Sequence, residues 1–311
     1  MFDKFRLKAA LVEYKKRFVQ TQWPDEKYKW EAVKCFQVNW DVNADDFAGM
    51  LTKALSQTSN LLTSANNFPA GMITGFAKNA GEEVRAMFIE LYDESKDICE
   101  RIENFKQKSN SLLERYGNGA KQHFQNENSI STYLWLRYPD KYYIYKLTEV
   151  KEVSNVLKSD YTFKRGAYAS NIRNFIAFYN EICAELQQDE ELKNMLASQI
   201  TGTCYPDPEL RTLTMDVGFF IKKYYGKDDS VPSGDKWWPA DYTPALSVDD
   251  WEALLNDDQD DLIGYFIYEL DYGRKYEAGM IQDENGKDID VSSSEKVYDY
   301  ICRQGDTIIN R

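Results

Sequence analysis

Ser129-Ile-Ser-Thr-Tyr-Leu-Trp-Leu-Arg-Tyr-Pro-Asp-Lys-Tyr-Tyr-Ile-Tyr-Lys146 is the stretch on which the fold class turns. β-Branched and aromatic residues fill 130–137 and 142–147 on either side of Tyr138-Pro139-Asp140-Lys141, which predicts two strands joined by a Pro-Asp turn. Strand alternation sends Ile130, Thr132, Leu134 and Leu136 to one face and Tyr133, Trp135 and Arg137 to the other, with Tyr143 and Tyr145 across the turn beside that second face. Flat rings next to cations are what base stacking and phosphate gripping use. The candidate nucleic-acid-binding set is therefore Tyr133, Trp135, Arg137, Lys141, Tyr143, Tyr145 and Lys146, together with Lys164 and Arg165 further on. A competing reading packs the same rings into a core between flanking helices, because strands covered on both faces are also rich in aromatics.

The surroundings read as helical. Phe5, Leu7, Ala10, Leu11, Tyr14 and Phe18 recur at helical spacing, and Trp30, Val33, Phe36 and Val38 follow the Pro24-Asp25 start signal. Asn43 is the expected cap of a third helix through Phe47, Met50, Leu51 and Leu55, and further helices are expected over 69–79, 80–92 and 94–115. After the hairpin, helices resume over 148–158, 170–187, 189–199 and 209–225. Residues 227–246, with three of the chain's eight prolines among Gly, Ser and Asp, read as a linker. Beyond it, Ser247 and Asp250 mark a helix start, and Asn285-Gly286 between two short apolar runs marks a tight hairpin turn. The predicted class is α+β and predominantly helical. It comprises a helical region (1–126), the aromatic β-hairpin plus helices (127–226) and a small acidic α+β unit (247–311).

Composition narrows what such a chain does. Its 311 residues are 43% hydrophobic and 14% aromatic, enough for more than one core. The five cysteines are far apart and never in a Cys-x-x-Cys pair, and no run of about 18 apolar residues occurs. These features point to reduced thiols and a cytoplasmic chain without membrane contact. The net charge of −13 is unevenly spread: residues 1–226 hold 30 basic and 30 acidic side chains, whereas 227–311 hold 8 and 21. The acidic total therefore does not exclude nucleic acid as a partner of the larger, charge-balanced part.

Catalytic motifs are missing. No Gly-x-x-x-x-Gly-Lys-Ser/Thr loop is present to cradle a phosphate. The single histidine, His123, lies in a polar stretch, and a capping or solvated role is the expectation for it. Asp257, Asp258, Asp260 and Asp261 do not match calcium-loop spacing and read as a solvated helix start. No enzyme, cofactor or metal is expected on these grounds.

Four segments in order give a sharper expectation. They are the aromatic stretch quoted above, Phe68-Pro-Ala-Gly-Met-Ile-Thr-Gly-Phe-Ala-Lys78, Glu82-Glu-Val-Arg-Ala-Met-Phe-Ile-Glu-Leu-Tyr-Asp-Glu94 and Trp238-Pro-Ala-Asp-Tyr-Thr-Pro-Ala-Leu-Ser-Val-Asp-Asp-Trp251. Over about residues 20–255 the chain resembles the region preceding the motor in McrB-like AAA+ GTPase subunits of modification-dependent restriction systems. The resemblance implies a non-catalytic target-recognition or adaptor role in anti-phage defence, with DNA, including DNA carrying modified bases, as the target. It also implies an AAA+ motor and a nuclease subunit as protein partners. The Walker sequence of such motors is absent from this chain, and no base-contacting residue carries over by position. The alternative is a protein–protein scaffold whose acidic C-terminal unit docks on or inhibits a basic partner.

Overall fold

The structure, a computed structural model, describes residues 1–63, 67–226, 280–282 and 288–290. The linker, the helix expected from Ser247 and the acidic run at 257–261 lie outside the described residues. Two units divide the chain, one made of Met1–Thr63 with Phe68–Lys227 and the other of Ser64–Asn67 with Asp228–Arg311. In the second, Met280–Gln282 pairs antiparallel with Asp288–Asp290, Ile281 lying opposite Ile289.

Among its described residues the first unit has helices and no strand. Its elements are α1 (Lys4–Arg17), a π-helical turn (Phe18–Gln22), α2 (Trp23–Glu26), α3 (Tyr28–Asn39), α4 (Phe47–Ala54), α5 (Ser59–Leu62), α6 (Pro69–Asn79) and α7 (Gly81–Leu91). These are followed by α8 (Ile98–Tyr116), α9 (Glu127–Arg137), α10 (Leu147–Val156), α11 (Tyr168–Leu186), α12 (Glu190–Gln199) and α13 (Arg211–Lys223). Short acidic side chains start several of them. Asp3 accepts from the backbone N–H of Phe5 and Arg6, Asp46 from Gly49, Asp97 from Cys99 and Glu100, and Asp189 from Leu192. Each supplies acceptors that a first helical turn otherwise lacks. Asp46, not the expected Asn43, caps α4.

The expected aromatic hairpin is corrected by α9. Residues 127–137 are helical, and the α+β class gives way to an all-helical unit; a pair of three-residue strands elsewhere does not make an α+β unit. The reason is local and tertiary together. Asn126 accepts from the Ser129 N–H at 3.0 Å while the Ser129 hydroxyl accepts from the Asn126 N–H at 2.9 Å, a reciprocal cap that begins a helix. Every residue from Ser129 to Leu136 is then buried, so α9 is surrounded on all sides and shows no amphipathic period. The Pro-Asp turn does form, with Tyr138 carbonyl accepting from Lys141 and Tyr142. It leads into a non-helical run, 142–146, rather than a returning strand. That run is tied down by side chains: Ser131 Oγ accepts from the Tyr145 N–H, Asn128 Nδ2 donates to the Tyr145 carbonyl, and Met215 Sδ receives the Ile144 N–H.

Two helices organise the unit. α9 packs against α3, α5 and α8, and α13 against α1, α10 and α11. Trp135 of α9 joins them by donating its indole N–H to Thr212 Oγ1 of α13 at 3.2 Å. Ahead of α13 the chain takes left-handed backbone at Asp207 (φ 50°) and Leu210 (φ 57°). Asp207 offsets that strain by accepting from the Thr212 and Leu213 N–H groups at 3.1 and 2.8 Å and from the Trp30 indole at 3.3 Å. Burial pushes its carboxyl up to about 6 against the pull of these donors.

α13 also approaches α11 closely. A Cβ built on Gly218 would lie 2.4 Å from Tyr179 Oη, and Tyr179 is buried with its hydroxyl 3.4 Å from Glu149 Oε1. Gly218→Ala is therefore expected to cost about 1–3 kcal/mol in urea unfolding, and a Tyr179→Phe background, which removes the struck oxygen, to recover part of that. Equal costs in both backgrounds would mean that some other contact keeps residue 218 small.

Candidate nucleic-acid interface

The sequence-derived set divides into buried rings and dispersed cations. Tyr133 and Trp135 are wholly enclosed. The Tyr133 ring meets Phe88 and Phe105 at 5.4 and 5.9 Å, its hydroxyl donates to Gln125 Oε1 at 2.9 Å, and burial raises its phenol well above the ordinary value. Tyr143 is covered by Arg211, whose guanidinium sits 5.0 Å over the ring and donates to the hydroxyl at 2.5 Å. Tyr145 packs on Phe175 at 5.3 Å. The stacking face expected from strand alternation is thus not formed: α9, enclosed on every side, buries Tyr133 and Trp135, and the non-helical run 142–146 buries Tyr143 and Tyr145 separately.

The cations have separate surroundings. Arg137 is half-buried over the Tyr138 ring at 4.9 Å, and Lys141 pairs with Glu94 at 2.6 Å. Lys146 immediately precedes α10. Lys164 and Arg165 lie in the connection between α10 and α11, where the Lys164 backbone N–H and carbonyl are both bonded by the Asn171 side chain. His123 holds its own loop, Nδ1 accepting from the Gln125 N–H at 2.8 Å and Nε2 lying 3.1 Å from Asn110 Oδ1. Among the described residues no group of three or more His, Cys, Asp or Glu could hold a metal ion, and no helix is long and apolar enough to cross a membrane. Cys35, Cys99, Cys183 and Cys204 are free thiols.

A different cluster combines aromatic rings with cations at the surface. At the C-terminal end of α13, Lys223 Nζ lies 5.0 Å from the centroids of both Phe219 and Tyr224, and the Arg17 guanidinium from the end of α1 lies 5.0 Å from Tyr224. Beneath them, Lys29 Nζ sits 4.5 Å from Phe219 and is bonded to Asp216. Lys222 donates to Thr148 Oγ1 at 3.2 Å on the neighbouring α10. Glu149, one residue on, has its carboxyl raised by burial, while Lys29, Lys222 and Lys146 pull it down.

Two causes gather these cations. The carbonyl end of α13 favours positive charge in its last turn, filled here by Lys222 and Lys223, and Arg17 comes to them from the point where α1 passes into the π-helical turn. Ring faces then hold the cationic heads. No family model, curated protein or solved structure matches this chain. Arg17, Phe219, Lys222, Lys223 and Tyr224 were not in the sequence-derived set. The signal for them was a basic pair or triplet ending each of two predicted helices beside aromatics, and only the packing of α1 on α13 brings the two ends together.

Proposed function

We propose that the helical unit is a non-catalytic recognition region that binds DNA, the role implied by its resemblance to McrB-like restriction subunits. In this reading it grips the phosphate backbone with the cation–aromatic cluster at the end of α13. The observation that carries the reading is the convergence of Arg17 and Lys223, from different helices, on the single Tyr224 ring. Cations held on ring faces are positioned at low entropic cost for phosphates, and a ring edge beside them suits an unstacked base. The balanced charge of residues 1–226 is compatible with that use. An AAA+ motor and a nuclease subunit are the protein partners the same resemblance implies.

DNA affinity measured against salt tests this. The logarithmic slope is expected at about −2 to −4, and the double variant Arg17→Glu/Lys223→Glu is expected to flatten it by about 2 and to weaken binding more than about tenfold. Binding that ignores salt, or survives the double charge reversal, would remove the reading. The scaffold alternative gains support from one feature, the outward apolar face of α1.

A further inference from the structure

α1 carries two apolar faces. Leu7, Ala10, Leu11, Tyr14 and Phe18 are buried in the core, as their spacing predicts. Phe5, Val12 and Val19 are 84%, 53% and 48% exposed, and Ala9 and Lys16 are exposed between them. The order Phe5, Ala9, Val12, Lys16, Val19 advances by four, three, four and three residues, the step pattern of a coiled-coil seam. At about 100° per residue Phe5, Ala9, Val12 and Lys16 lie within roughly 40° of Phe5, on the side of α1 opposite the core stripe, and Val19 follows them as an exposed apolar residue in the π-helical turn. Within α1 the seam, from Phe5 to Lys16, is about 16 Å long at 1.5 Å per residue, enough for three turns of a second helix.

Charge selects what can lie on it. α1 holds six cations, Lys4, Arg6, Lys8, Lys15, Lys16 and Arg17, against one internal acid, Glu13. Lys8 is exposed and flanks the seam. Lys16 stands in it and pairs, among the described residues, with Glu13 at 2.7 Å in an exposed i, i+3 contact of small worth that an incoming carboxylate can replace. A second copy of α1 would set these like charges against one another. A helix with apolar seam residues and flanking Glu or Asp would complement them.

We infer that the outer face of α1 is a docking seam for an acidic amphipathic helix of a partner protein, with Phe5, Val12 and Val19 as the apolar contacts and Lys8 and Lys16 facing its carboxylates. This is independent of DNA binding at the α13 end. A labelled synthetic helix of heptads with Leu in the seam and Glu at the flanks is the probe, beside the same peptide with Lys at the flanks, each titrated with the full chain by fluorescence anisotropy. The Glu peptide is expected to bind about tenfold or more tightly than the Lys peptide. Val12→Asp should abolish that binding, and Lys8→Glu/Lys16→Glu, which leaves the seam intact, should invert the preference. All three substitutions are at exposed positions, so an unchanged thermal midpoint checks that the fold is retained. The inference is overturned by no binding of the Glu peptide at about 100 µM, or by no preference between the peptides. It is equally overturned by a dimer of the chain that Val12→Asp dissociates, or by binding to anionic vesicles through the same residues in place of the peptide.

Discussion

Replacing Asp216 with Ala is expected to lower the unfolding free energy by about 3–5 kcal/mol, a large share of what a domain of this size has to lose. Asp216 is fully buried on α13 and accepts from Lys29 Nζ at 2.6 Å, Tyr14 Oη at 2.6 Å and Gln22 Nε2 at 2.9 Å. Three elements of the N-terminal region, α1, the π-helical turn and α3, are thereby tied to α13. Burial alone would discharge Lys29, but the Asp216 carboxylate, with Tyr28 and Glu26, holds its ammonium above the ordinary lysine value. A lysine so raised contributes stability that is fully present below its unfolded pKa of about 10.4 and is lost only as pH climbs through the folded value. The pair therefore acts at full strength at neutral pH. Removing the carboxylate leaves Lys29 with Glu26 at 3.0 Å as its remaining acidic partner and two further donors without their acceptor. Urea unfolding followed by tryptophan fluorescence measures the loss. Adding Lys29→Met to Asp216→Ala should return part of it, because the uncompensated charge is then gone. A cost of Asp216→Ala below about 1 kcal/mol would mean that the network is open to water.

The same residues show what a sequence discloses and what it withholds. Helical spacing located α1, α3, α6, α7, α8 and α10 to α12 to within a few residues, because each has one face in the core and one outside, and it located α13 although that helix is buried continuously from Thr212 to Gly218. It listed Phe5 and Val38 among the apolar recurrences, and both are exposed. Periodicity reports a stripe but not whether a second stripe, such as the one on α1, has a partner. It failed at α9 for the opposite reason. A helix buried on every side has no polar face to set a period, and its Ile, Thr, Tyr and Trp then read as strand formers. The cap Asn126-x-x-Ser129 was the available signal. It was weak because Ser, rather than Glu or Gln, occupies the third position. The buried charges at Lys29 and Asp216 could not be paired from sequence, since 187 positions separate them. The cluster at the end of α13 depends likewise on α1 lying beside α13.

Trp135→Ala gives the second large effect and separates the two readings of the aromatic stretch. If residues 130–137 were a strand presenting Trp135 outward, its loss would impair DNA binding and leave the fold intact. In the structure the indole is fully buried at the contact between α9 and α13, so truncation is expected to open a cavity and cost about 3–5 kcal/mol. Trp135→Phe keeps most of the volume and forfeits the bond to Thr212, for a smaller loss that includes about 0.5–1.5 kcal/mol from that bond. DNA binding by whatever fraction remains folded should be unchanged, since Arg17, Lys223 and Tyr224 belong to other elements. Chemical denaturation and salt-dependent binding on the same two variants make the comparison. A Trp135→Ala protein with an unmoved midpoint and lost DNA binding would return the ring to the surface and the candidate interface to α9. An unstable protein whose folded fraction binds as the wild type does would leave recognition with the cations at the end of α13, and α9 as the core element on which the helices that carry them are assembled.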